Sequence, residues 1–278
     1  MLHIPHNPTH QRSFFAWQRL GPAVLLLLFM LTGCATTGVN RGDVNLISME
    51  EEWQLGNQLE QDLNQQLRLV NDGAANAYIE RIGQQIVRQT ELANAPWSFH
   101  IVDDDAINAF NTPGGNVYVN TGLILAADNV AQLVGVMAHE IAHGVARHGT
   151  ERLTKTYGLN IGAGLLLGSD PSAYEQVLAQ LAGTGAIAKF SRNDEREADE
   201  LGVRYMYQAG YDPEGMAQMF EKLLQQRQGR PSSVAQFFST HPLTESRIRD
   251  VRRAASQLPR RSLTMRDGDL QNIQRRLR

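Results

Sequence analysis

The densest chemistry in the sequence is His139-Glu140-Ile141-Ala142-His143. At about 100° per residue, an α-helix places the two histidines about 40° apart and one turn removed, with Glu140 on the same side. Two imidazoles so placed can hold one Zn²⁺, and the adjacent carboxylate can act as general base toward water. A third ligand must come from elsewhere. A Gly three positions and a His six positions after the second histidine would supply it locally, but Ala146 and Gly149 stand there. His148, about 140° around a continuous helix from His143, is a poor ligand and reads as an N–H donor or a surface residue at the helix end. Downstream, in Ser191-Arg192-Asn193-Asp194-Glu195-Arg196-Glu197-Ala198-Asp199, Glu195 and Asp199 share one helix face while Glu197 projects to the opposite side. Facing a metal, Glu195 would coordinate it and Asp199 would hold the outer nitrogen of a ligating histidine. The alternative is a solvated acidic helix with ion pairs to Arg192 or Arg204; the paired motif upstream favours the metal.

These groups need helices to carry them. Val130, Leu133, Val134, Met137, Ile141 and Val145 recur at spacings of three and four and predict a core-facing stripe on a helix over 129–148. Ser191 with Asp194 caps a helix over 192–209. Ser48 and Glu51 form a capping box before Trp53, Leu55, Leu59, Leu63 and Leu67, predicting a first helix of about twenty residues. Further helices are expected over 74–92, 172–189, 213–228 and 243–257. Alternation over 97–102 and 116–120 predicts two strands, with Pro113-Gly114-Gly115 as the turn between them. The fold class expected is α+β, predominantly helical, with a small sheet beside the histidine helix and one domain over 47–258. The apolar, Gly-rich segment 158–168 is too short to cross a bilayer and is expected to be a buried hairpin or a lid.

Composition narrows the class. A chain of 278 residues with 42% hydrophobic content can bury a sizeable core, which excludes disorder as its main state. A net charge of −3 gives no overall bias toward nucleic acid, and no nucleic-acid partner is expected. Ten arginines against three aspartates over 247–278 set apart a basic tail, 259–278, that either meets anionic headgroups or an acidic partner or is simply solvated. The single cysteine, Cys34, excludes a disulfide framework and any cysteine-based zinc site. It follows Arg12, Arg19 and an apolar run over 24–31, the layout of a secretory signal peptide over 1–33. Leu31-Thr32-Gly33-Cys34 resembles the bacterial lipobox, so Cys34 is expected to carry lipid, with a tether over 34–46 and a location on the outer membrane facing the periplasm. An uncleaved anchor helix is the alternative.

His139-Glu140-x-x-His143, Glu195-x-x-Ala198-Asp199 and Thr240-His241-Pro242 together resemble the zinc metallopeptidase family of the CAAX prenyl endopeptidases, the HtpX-like and Oma-like proteases and the periplasmic lipoprotein proteases of LoiP and BepA type. Asn108-Ala109-Phe110-x-x-Pro113-Gly114-Gly115 is similar to that family's segment before the metal helix. The resemblance implies a gluzincin fold, one Zn²⁺ held by His139, His143 and Glu195, and endopeptidase activity with Glu140 as the base. It implies that His241 stabilises the oxyanion or occupies the metal at rest, and that Arg247 stands behind the site beside Asp199. It also implies an edge strand for extended substrate, here expected to be Asn116, Val117, Tyr118, Val119 and Asn120. Substrates would be unfolded or misassembled envelope proteins, with outer-membrane assembly machinery as a further partner. The alternative function is a zinc-stabilised chaperone or assembly factor with a gated, mostly inactive cleft.

Overall fold

The computed structural model describes residues 44–157, 171–184 and 189–278, all within one unit, Thr36–Arg278. The signal segment 1–33, Cys34, most of the expected tether and the Gly-rich segment 158–168 lie outside the described residues. The described chain is predominantly helical around one three-stranded sheet.

Helix α1, Met49–Gln66, starts at the expected capping box of Ser48 and Glu51. Its Leu55, Leu59 and Leu63 are buried with Phe110, Tyr118 and Leu153 in a side cluster. Helix α2, Gly73–Val87, is capped by Asp72 and buries Tyr78, Ile79, Ile82, Ile86 and Val87 in the main core. It stops short of Leu92 because the Thr90 hydroxyl donates to the Val87 carbonyl and turns the chain.

The sheet comprises β1, Ser98–Val102, β2, Ala109–Thr112, and β3, Asn116–Asn120. Its order is β1-β3-β2, with β3 parallel to β1 and antiparallel to β2. The Pro113-Gly114-Gly115 turn therefore joins β2 to β3, and β2 is a strand that alternation alone does not signal. Residues Asn116 to Asn120 are not an edge: every one is buried and both sides of the strand are hydrogen-bonded. The strand beside the histidine helix with an outer edge is β2. Gly114, with φ of 88°, lets the turn press on α1, where a Cβ would stand 2.6 Å from the Gly56 Cα.

After a short α3, Thr121–Ala126, the histidine helix α4 runs over Val130–Val145, capped by Asn129. The expected stripe faces the core, but the opposite face is buried too, because α7, Arg192–Gln208, and α8, Glu214–Gly229, pack over it. Gly135 permits that approach, since a Cβ there would lie 2.6 Å from the Met216 Cα. Helix α4 ends with its apolar stripe at Val145, short of the expected 148. Arg147 takes φ of 60°, and the chain restarts in a new direction as α5, His148–Tyr157. Helix α6 is Pro171–Thr184, and α9, Pro231–Thr240, leads through His241 to α10, Glu245–Ser256.

The basic tail is not merely solvated. Thr264 pairs with the backbone of Gly210 and Asp212, and α11, Leu270–Arg276, buries Leu270 and Ile273 in the main core. Asp267 accepts the Tyr78 hydroxyl at 2.9 Å, and Arg276 reaches Asp72 at 2.9 Å. Among the described residues no helix is long and apolar enough to cross a membrane.

Candidate metal centre

Four side chains converge between α4, α7 and the turn after α9. His139 and His143, one turn apart on α4, bring their Nε2 atoms to 3.1 Å. The Ser191–Asp194 capping box starts α7 so that Glu195 falls in its first turn, facing α4. Glu195 Oε1 lies 3.4 Å from His143 Nε2, and Oε2 lies 3.7 Å from His139 Nε2. His241 adds Nδ1, 3.0 Å from Glu195 Oε1 and 3.3 Å from His139 Nε2. All four residues are at most 1% exposed.

Donors bonded tetrahedrally at about 2.0–2.1 Å stand about 3.3–3.4 Å apart, close to the separations found here. Charge points the same way. Glu140, Glu195 and Asp199 are buried against a single guanidinium, Arg247, an excess of carboxylates that a bound cation would offset. Glu140 Oε1 is buried with no hydrogen-bond partner among the described residues, and His241 Nε2 lies 3.5 Å from it. The donor set, its spacing and its charge fit a divalent cation, and the mix of imidazole and carboxylate suits zinc.

The surroundings orient these groups. Asp199 places Oδ1 3.0 Å from His139 Nδ1, a charge contact that does not meet hydrogen-bond angles. Arg247 donates from Nε and Nη2 to the two oxygens of Asp199, each at 2.7 Å, and from Nη1 to Glu195. The expected places of Asp199 and Arg247 behind the site are thus occupied. Phe190 stacks on His143 with centroids 4.0 Å apart, and Phe237 stacks on His241 at 5.1 Å. Burial pushes the Glu140 carboxyl above its ordinary range, against the pull of His241 and His139. Burial would also raise Glu195, but His241 and Arg247 outweigh it and hold that carboxyl well below its ordinary value. Burial keeps His143 neutral far below the usual imidazole range.

Residues 73–255, a stretch that includes all four donors, match the model of peptidase family M48. The chain belongs to peptidase family M48. Within it, the chain is 34% identical over 223 residues to the beta-barrel assembly-enhancing protease of Escherichia coli K12, covering 76% of this chain and 45% of that protein. It is 33% identical to the putative beta-barrel assembly-enhancing protease of Vibrio cholerae, covering 77% and 46%. It is 33% identical over 175 residues to the mitochondrial metalloendopeptidase OMA1 of Schizosaccharomyces pombe, covering 63% and 51%. The chain thus spans about half the length of these M48 relatives.

Some site residues escaped the sequence reading. His148, expected as an N–H donor or a surface residue, is buried, with Nδ1 2.9 Å from His143 Nδ1. Glu197, expected on the far side, reaches His148 Nε2 at 3.3 Å. Phe190 precedes the α7 cap with no local pattern to mark it. Asn111, on the unanticipated β2, helps pull the Glu140 carboxyl's pKa down against burial.

Proposed function

We propose that this chain is a zinc-dependent endopeptidase that hydrolyses peptide bonds in unfolded or misassembled envelope proteins, held on the outer membrane by lipid on Cys34 and facing the periplasm. The observation that carries the catalytic reading is Glu140: its carboxyl is buried, raised in pKa and has an unpartnered oxygen beside the cation donors. A module that only bound metal would have no use for a carboxylate so placed. When bound to His139, His143 and Glu195, Zn²⁺ would supply Lewis acidity, acidifying water and polarising a scissile carbonyl. Glu140 then takes the proton as water attacks, and its raised pKa suits it to carry that proton to the leaving amine. The outer edge of β2 is the strand edge available to align an extended chain by main-chain pairing. The names of the bacterial relatives support a role beside β-barrel assembly, with that machinery as a partner.

His241 supports a second reading. Its Nδ1 lies among the cation donors, the place of a fourth ligand, while Nε2 faces Glu140. A cation held by all four donors would leave no place for water, as a gated chaperone or assembly factor would require. Turnover then needs His241 to swing out, where the same ring can donate to the oxyanion. Cleavage of casein by the full chain tests both readings. Glu140→Gln should lower the rate about 10²- to 10⁴-fold while zinc remains bound. Cleavage that survives the substitution would remove Glu140 from the mechanism. His241→Ala should raise the rate if His241 gates the site and lower it if oxyanion stabilisation dominates, and no cleavage by any form would favour the chaperone.

A further inference from the structure

The two histidines of α4 differ in what stands behind them. His139 has the carboxylate of Asp199 behind it, with Oδ1 3.0 Å from Nδ1. His143 turns Nδ1 to another imidazole, His148, at 2.9 Å, and His148 turns Nε2 to Glu197 at 3.3 Å. The Nε2 of His143 faces Glu195 and His139, so a cation there requires that nitrogen to be free of hydrogen. Neutral His143 then carries its hydrogen on Nδ1 and donates it to His148 Nδ1. His148, having accepted at Nδ1, carries its own hydrogen on Nε2 and donates to Glu197. One chain of bonds fixes both tautomers and runs from a ligand at 0% exposure to a carboxylate side chain at 32%.

The backbone is shaped to make this chain of bonds. On an unbroken helix His148 would point about 140° away from His143. Arg147, at φ of 60°, ends α4 and swings His148 back over it, a conformation that is strained for a non-glycine residue. The Arg147 side chain secures the bend by donating to Glu52 at 2.6 Å and to the Ile47 carbonyl at 2.5 Å, all buried. His148 also lies with Glu151 and Asp194 in a group of metal-binding residue types. That group is not a second metal site, because both His148 nitrogens have protein partners and both Asp194 oxygens bond Ser191.

We infer that His148 and Glu197 are positioning residues for the metal ligand His143: they lock its ring and tautomer and strengthen its donor nitrogen. The inference rests on the zinc reading above. The test is zinc affinity of the full chain, measured by competition with a chromophoric chelator, together with the visible spectrum of the Co²⁺-loaded form. His148→Ala should weaken zinc binding about 10- to 100-fold, Glu197→Ala about 10-fold, and both should shift the Co²⁺ absorption bands. Because Glu197 acts through His148, the double variant should bind no more weakly than His148→Ala; losses that multiply would overturn the relay. Thermal melts of the chelated proteins show whether each variant folds. Should His148→Ala fail to fold, Glu197→Ala decides, and an unchanged affinity and spectrum there would overturn the inference. If the unsubstituted chain binds no zinc, the metal reading falls with it, whereas zinc binding equal in all forms removes only the relay.

Discussion

Asp194 shows how a single carboxylate sets the site at one remove. It accepts from the backbone and hydroxyl of Ser191, closing the capping box that starts α7 one residue before Glu195. Burial raises its pKa, but the Ser191 bonds more than offset this and leave it below the ordinary 3.8. The unfolded chain therefore binds the proton more readily, and the stability Asp194 contributes is complete above pH 3.8 and lost as pH falls through the folded value. Asp194→Asn should destabilise the protein by about 1 kcal/mol at neutral pH. Denaturant melts of the two proteins should converge as the pH drops below 3.8; a gap that stays constant would mean the charge is not what the cap uses. Legibility at this scale followed locality. His139, Glu140, His143 and both capping boxes could be read because their partners lie within four residues. His148 could not, since its angle was reckoned on a helix that Arg147 breaks.

Arg147 ties elements together as well as bending one. Its guanidinium joins the end of α4 to Glu52 on α1, and Glu52 also receives a bond from the Thr150 hydroxyl on α5. Burial drives the Glu52 carboxyl up in pKa despite Arg147, so the carboxylate depends on that partner. Arg147→Ala should cost about 3–5 kcal/mol by equilibrium unfolding, the range for leaving one partner of a buried pair alone. A cost under about 1 kcal/mol would show that the bend is held by something else. The strands illustrate what elements hide from a sequence. Strand β3 was recognisable by its alternation, yet its place in the sheet depends on β2, whose four residues are too few to show a period and whose pairing is set by the turn. Its centrality, and with it the loss of the edge expected at Asn116 to Asn120, could only come from the assembled sheet.

For the molecule as a whole, anchoring and catalysis are expected to be separable. Cys34 lies outside the unit's described residues and far in sequence from every cation donor, so Cys34→Ser should release the protein from the membrane fraction while its zinc content and casein cleavage stay unchanged. Fractionation with zinc analysis checks this, and loss of zinc in the released protein would contradict it. The basic tail was misjudged from sequence because its arginines conceal two apolar residues one turn apart, Leu270 and Ile273, too short a signal to stand out. Their burial beside α2 has a temporal consequence. Every cation donor is synthesised before residues 264–276, which bond Tyr78, Ala131 and Gly210 and bury Leu270 and Ile273 in the core. A chain grown only as far as α10 already carries all four cation donors but lacks the segment that covers this side of the core.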